Sequence, residues 1–181
     1  MAYRNGTYVA FDGNGTTNPI EGDIKYFNLL KAWSENKNIE FNFSDSHQKT
    51  YQVNDTSKMI TLKNRLQERL RNSKNMIIFI TKNTSYNRGL LCWEIEKAVD
   101  DYKLPLIIVY TEYSRILDVD SLSNKWPKAL KERIDNRTAK CIHLAFKKEL
   151  VLDAISQFSI NDKYPNTSKD YYGKDTYDSL K

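Results

Sequence analysis

Two short apolar runs set the frame for this chain: Met76-Ile77-Ile78-Phe79-Ile80 and Leu106-Ile107-Ile108-Val109-Tyr110. Neither alternates polar and apolar residues, which is the pattern of strands buried on both faces of a parallel sheet. Between them, the polar turn residues 81–89 give way to a helical segment opening near Leu90. Leu91, Ile95, Ala98 and Tyr102 recur at helical spacing and mark one buried stripe. On a wheel of roughly 100° per residue, Glu94 lies about 70° from the stripe's centre and Glu96 about 130°. Glu96 is therefore expected in water, and Glu94 at the border of the apolar face, in the helix's first turns. A carboxylate there, just past the carboxyl end of a central strand, stands where open α/β sheets keep their ligand sites. The plainer reading is a glutamate favoured by the helix dipole.

The remaining chain repeats the same alternation. Thr7-Tyr8-Val9-Ala10-Phe11 reads as the first strand and runs into Asp12-Gly13-Asn14-Gly15, whose glycines serve a turn or a close approach to a ligand. Asp23 is placed to cap a helix over 24–35, with Ile24, Phe27, Leu30 or Leu29, and Trp33 or Ser34 on its apolar face. Residues 39–43 alternate apolar and polar side chains, as a second strand nearer the sheet edge would. Asp45 and His47 follow it; Asp45 is expected beside the first loop, and His47 reads as a loop residue. Residues 48–57 are polar, consistent with a mobile segment or lid. Further helices are expected over 58–72, 126–134 and 147–158, and a short fifth strand over 141–144. His143 reads as a structural residue of that edge strand.

Strand and helix alternating with right-handed crossovers imply a parallel sheet with helices on both faces. Five strands with the first one central give the flavodoxin-like order 2-1-3-4-5, and Asp12, Asp45, Ser85 and Glu94 then face one crevice. With 181 residues the chain is long enough for one core, expected over residues 1–160. A polar, tyrosine-rich extension (161–181) has a composition that by itself favours disorder, and is expected to pack on the domain or on a neighbour. The net charge of +5 is dispersed with alternating sign along the helices, so it reads as no nucleic-acid groove.

No apolar run approaches the ~18 residues of a membrane span, and the opening MAYRNGTYVAF lacks the apolar region of a secretory signal. Cys92 and Cys141 lie far apart, without metal-ligand spacing. A cytoplasmic protein with no metal and no membrane partner is the expectation. There is no Gly-x-x-x-x-Gly-Lys-Ser/Thr phosphate loop, no Gly-x-Gly-x-x-Gly after a strand and no Gly-x-Ser-x-Gly elbow. The third strand ends in Ile80-Thr81, where a phosphoacceptor protein would need an aspartate.

Several ordered segments resemble one family. Tyr8-Val9-Ala10-Phe11-Asp12-Gly13, Leu30-Lys31-Ala32-Trp33, Met76-Ile77-Ile78-Phe79-Ile80-Thr81, Cys92-Trp93-Glu94-Ile95-Glu96-Lys97-Ala98 and Pro105-Leu106-Ile107-Ile108-Val109-Tyr110 are similar to the TIR-like family typified by ThsB of the bacterial Thoeris antiphage system. The likeness spans residues 7–158. It implies cleavage of NAD⁺, as substrate with no further cofactor, at the nicotinamide–ribose bond, with Glu94 matching the catalytic glutamate. The released ADP-ribose would be transferred or cyclised into a nucleotide signal that activates a partner effector. Activity in such enzymes commonly needs assembly, so a homo-oligomer is a further expectation. Phe11 or Trp93 would stack on a ring, and the loop at Asp12 and Gly13 would take the pyrophosphate, with Asp45 and Ser85 beside it. The first loop departs from the Ser-Tyr/Phe start of many TIR domains, and the tail beyond Phe158 has no counterpart. Two other readings compete: a non-catalytic TIR-like interaction module, and an enzyme cleaving an N-glycosidic bond in another substrate. They differ in whether Glu94 lines a site with Phe11 and Asp45 or pairs on the surface with a lysine such as Lys97.

Overall fold

The computed structural model describes residues 4–12, 23–35 and 56–180. Its sheet is built from the apolar runs. The first strand, β1 (Gly6–Ala10), pairs in parallel with β2 (Ser73–Ile80), which pairs with β3 (Leu106–Tyr110) and then β4 (Cys141–Ala145). A fifth strand, β5 (Asp170–Tyr171), closes the ladder beside β4. All pairs are parallel, so an α/β architecture holds, but the described strands run β1-β2-β3-β4-β5 in place of the expected 2-1-3-4-5. Two causes account for the difference. The expected second strand, 39–43, lies outside the described residues, and the fifth position is filled by the tail.

Successive residues of a strand point to opposite faces, and the register sorts the core into two layers. Asn75 and Phe79 point to one face. There Asn75 Nδ2 donates to the carbonyls of Ile155 (3.1 Å) and Phe158 (2.6 Å), at the end of α5 (Lys148–Gln157). Phe79 stacks on Tyr26 of α1 (Ile24–Glu35) with ring centroids 5.8 Å apart, and Phe146 meets Phe79 edge-on at 5.4 Å. Tyr8, in register with Met76, faces the other layer, beneath α3 (Leu91–Glu96). That helix continues as a π-turn, Lys97–Asp101, closed by the bond from Tyr102 N to Lys97 O. Against it pack α2 (Thr56–Arg71) at the π-turn and α4 (Lys128–Asp135) at α3 itself. Helices thus cover both faces, and no helix among the described residues is long and apolar enough to cross a membrane.

The tyrosine-rich tail is packed. Tyr164 Oη donates to Lys103 O (2.8 Å), Tyr172 Oη to Asp153 (2.6 Å), and Tyr177 Oη accepts from Ala145 N (3.1 Å). Tyr177 lies in α6 (Lys174–Ser179), the last helix. Low aliphatic content argues for disorder only if nothing replaces the missing burial. Here each of these rings brings both apolar area and a hydroxyl that finds a partner.

The tail also changes what His143 is. Because β5 lies outside β4, His143 is on no edge; it is fully buried. Trp126 Nε1 donates to Tyr110 Oη (2.7 Å), Tyr110 Oη donates to His143 Nδ1 (2.9 Å), and His143 Nε2 donates to Ser168 O (3.0 Å). This direction gives every group one role and fixes the Nε2–H tautomer. Burial, which penalises the charged ring, pushes His143 down from 6.5 to about 4. The structural reading of this residue stands, on a central strand. Tyr110→Phe strands the indole N–H and the imidazole nitrogen in a dry layer, each at about 1–3 kcal/mol. Urea unfolding at neutral pH should show the variant less stable than wild type by roughly 2–4 kcal/mol.

Candidate functional site

At the carboxyl ends of β1 and β2, Asp12 ties the first strand to the turn that follows the second. Asp12 follows β1 and is 2% exposed. Its carboxylate takes a two-pronged bond from Arg88, Nε to Oδ1 at 2.9 Å and Nη2 to Oδ2 at 2.8 Å, and a third from Ser85 N at 2.8 Å. A fork-to-fork arginine–carboxylate pair fixes direction as well as distance. Arg88 also reaches Asn83 O (2.9 Å), and Thr81 Oγ1, at the end of β2, donates to the buried Asp23 (3.1 Å). The turn ends at Gly89, whose φ of +62° is a left-handed conformation that suits a residue without Cβ, and α3 begins two residues later.

Glu94 enters in the first turn of α3, its N–H bonded to Leu90 O at 2.8 Å. The helical wheel places it at the border of the stripe; in the structure it is 0% exposed. α3 lies against α4, and Glu94 itself reaches Tyr8 of β1, so a border position is covered as well. The stripe itself holds for Leu91, Ile95 and Ala98, with Tyr102 half-buried. Tyr8, equally buried, donates its hydroxyl to Glu94 Oε1 at 2.5 Å. The other oxygen, Oε2, is buried with no hydrogen-bond partner. Burial pushes this carboxyl from 4.5 up to about 7, while the Tyr8 bond pulls in the opposite direction. Glu94 does not pair with Lys97, whose ammonium is bonded to Asp101 at 2.7 Å.

The sequence-derived candidates therefore separate. Asp12 and Ser85 are in direct contact, and Glu94 sits beneath the helix that follows them. Gly13, Asp45 and His47 lie outside the described residues. Phe11 is 4% exposed and its ring packs on Phe27 of α1 at 6.4 Å, on the α1 side of the sheet. Trp93 is half-buried and turns toward α2, with Lys63 Nζ 5.3 Å from its ring centre. Two partners escaped the sequence reading. Tyr8 looks like any strand aromatic, although a tyrosine inside a strand needs somewhere to put its hydroxyl. Arg88 looks like one more cation of a polar turn. Among the described residues no three His, Cys, Asp or Glu side chains converge as a metal site would need. Two surface cavities, of about 460 and 370 Å³, open elsewhere, lined by residues such as Arg137, Lys140 and Lys169 and by Lys163 and Tyr171. Glu94 lines neither.

The family described as Thoeris protein ThsB, TIR-like domain, matches residues 8–116. The chain belongs to this TIR-like family. The match begins at Tyr8 and takes in Asp12, Ser85, Arg88 and Glu94, together with β2 and β3. The last two strands and the tail of this ThsB-type domain lie beyond it.

Glu94 and His143 have opposite effects on stability. Glu94 is protonated more readily in the folded chain (about 7) than in the unfolded one (4.5), so stability falls as pH rises through that window. His143 is protonated less readily when folded (about 4) than when unfolded (6.5), so stability falls as pH drops through its window. The windows overlap between 4.5 and 6.5, where the two slopes cancel. Glu94→Gln removes one of them. Its unfolding free energy should climb by about 1.4 kcal/mol per pH unit across the overlap, where wild type stays level. Above pH 7 the variant should exceed wild type by roughly 2–3 kcal/mol, read by urea titrations along a pH series.

Proposed function

We propose that this chain is a TIR-type enzyme that cleaves NAD⁺ at the nicotinamide–ribose bond and turns the ADP-ribose unit into a signalling nucleotide in antiphage defence. The observation that carries this reading is the state of Glu94: a buried carboxylate with one oxygen held by Tyr8 and the other unpartnered. The chemistry suits a lone carboxylate. A glycosidase needs a second acid to protonate a poor leaving group. The nicotinamide ring is already cationic in NAD⁺ and departs as a neutral molecule, taking the bonding pair of the glycosidic C–N bond, so no general acid is needed. What remains is to hold the ribose hydroxyls and to stabilise positive charge as it develops on the sugar. A carboxylate out of water does this more strongly than one in bulk solvent, because little dielectric screening intervenes. With its pKa near 7, Glu94 is about half ionised at neutral pH, so turnover should rise as pH increases through that value.

Around it, Ser85 and Trp93 are half-exposed polar and aromatic groups at the turn and first turn of α3, and the Asp12–Arg88 pair keeps that turn in place. Gly13 and Asp45 would complete the substrate contacts, with Phe11 supporting the first loop from the α1 side. NAD⁺ is substrate, and the partner is an effector that reads the product in the cytoplasm. Because Glu94 is closed off in the single chain, catalysis requires a movement that uncovers it, which assembly of several copies would supply. The same closure favours one competing reading, a non-catalytic TIR-like interaction module in which Glu94 only packs α3 against the sheet.

Product analysis separates the two. Concentrated protein, wild type and Glu94→Gln, is incubated with NAD⁺, alone and with lysate of phage-infected cells, and followed by mass spectrometry. Nicotinamide release by wild type should fall by roughly 10²–10³-fold in the variant, the usual cost of losing an electrostatic stabiliser. The companion mass distinguishes hydrolysed from cyclised or conjugated ADP-ribose. No turnover in either condition, with Glu94→Gln still protective in cells, would leave the interaction module.

A further inference from the structure

The bond between Tyr8 and Glu94 satisfies only half of a buried carboxylate; of the three buried side-chain atoms without a partner among the described residues, the others being Thr7 Oγ1 and Asn75 Oδ1, Glu94 Oε2 alone belongs to an ionisable group. Buried carboxylates are expected to have both oxygens satisfied, and one that only packs a helix would be better served by a neutral side chain. Here Oε1 receives the Tyr8 hydroxyl at 2.5 Å, while Oε2 is equally buried and has no partner. The donor is also a particular kind. A lysine or arginine in the same place would fix the carboxylate but cancel its field. A phenol fixes one oxygen and leaves the negative charge in being. Tyr8 is suited to hold a geometry, because its backbone lies inside β1 in parallel register with Met76 of β2, and its side chain is fully buried. Glu94, on the first turn of α3, is thus tied to the sheet.

We propose that Tyr8 is the positioning residue of Glu94: its hydroxyl fixes Oε1 and thereby presents Oε2 as the acceptor for the ribose hydroxyls of the substrate. This rests on the NAD⁺-cleaving reading given above. No proton passes between the two side chains; the phenol donates a hydrogen bond throughout, and the carboxylate stays anionic while the glycosidic bond breaks. Removing the hydroxyl would leave both carboxylate oxygens bare in a dry layer. Two consequences follow, a looser carboxylate and a stronger tendency to hold a proton.

The test uses the full chain carrying Tyr8→Phe, which deletes only the hydroxyl, and Tyr8→3-fluorotyrosine, which keeps it and makes it a stronger donor. Nicotinamide release is measured from about pH 5 to 9 under whichever condition activates wild type. Tyr8→Phe should lower kcat by roughly 10- to 100-fold, the loss expected for one hydrogen bond to a charged group. KM should change by less than about threefold. The acid limb of the profile should move to higher pH, so that part of the activity returns in alkali. The fluorinated variant should retain activity and move the limb to lower pH. If Tyr8→Phe keeps wild-type kcat and the wild-type profile while Glu94→Gln is inactive, the positioning role is wrong and the enzyme reading stands. If kcat falls with a lowered melting temperature but the limb does not move, Tyr8 is a packing residue and the role is equally overturned. If wild type itself releases no nicotinamide, the enzyme reading falls and the positioning role falls with it.

Discussion

Water is excluded from both layers between the sheet and its helices, and every polar group that points inward must find its partner inside the protein. A parallel sheet covered on two faces enforces this more strictly than a half-exposed one, because the side chains of β2 from Asn75 onward and all those of β3 are buried. Two polar systems meet the constraint in opposite ways on the same layer. Around His143 the demand is met in full: an indole, a phenol, an imidazole and a backbone carbonyl form a chain in which each donor has one acceptor. Around Glu94 it is met by half, with one oxygen bonded and the other bare. The first arrangement locks the tail onto the sheet. The second leaves an uncompensated cost of burial at a carboxylate.

What could be read from the sequence follows from which signals are local. Helix α1 and strand β3 are found where periodicity and apolar run length put them, since both patterns depend on neighbours in the chain. Glu94 was legible as a candidate because it sits at a fixed angle from a stripe of four residues, although its depth was not, as that depends on the distant helix α4. Tyr8 and Arg88 were invisible for the same reason: their partners lie 86 and 76 residues away. The tail was expected to pack, although its composition alone pointed the other way. A stretch poor in aliphatics reads as unfolded until one sees that Tyr164, Tyr172 and Tyr177 each spend a hydroxyl on the domain. The sequence placed the first, third, fourth and fifth expected strands side by side, as they are found, but nothing local announced that residues 170 and 171 would extend the ladder.

The turns at the carboxyl ends of β1 and β2 show how specificity of shape is obtained without glycine-rich signatures. Asp12 gathers three donors from a segment more than seventy residues further on, one of them a main-chain N–H. Such a node ties the turn after β2, which leads into α3, to the end of β1. The guanidinium is the more exposed partner and the carboxylate the buried one, which makes removal of Arg88 costlier than its surface position implies, because the charge left behind is the one that water cannot reach.

Asp170 and Tyr171 are the outer rung of the ladder on the β4 side, and a rung two residues long is a poor template. An extended segment from another molecule would gain almost no main-chain pairing there, and α6 follows directly to hold the next residues in helical form. Without this short cap the five-residue β4, buried along its whole length, would be the rim presented to other chains. The tail therefore works as a selvedge: it finishes that margin of the sheet so that it neither frays nor stitches itself to its neighbours.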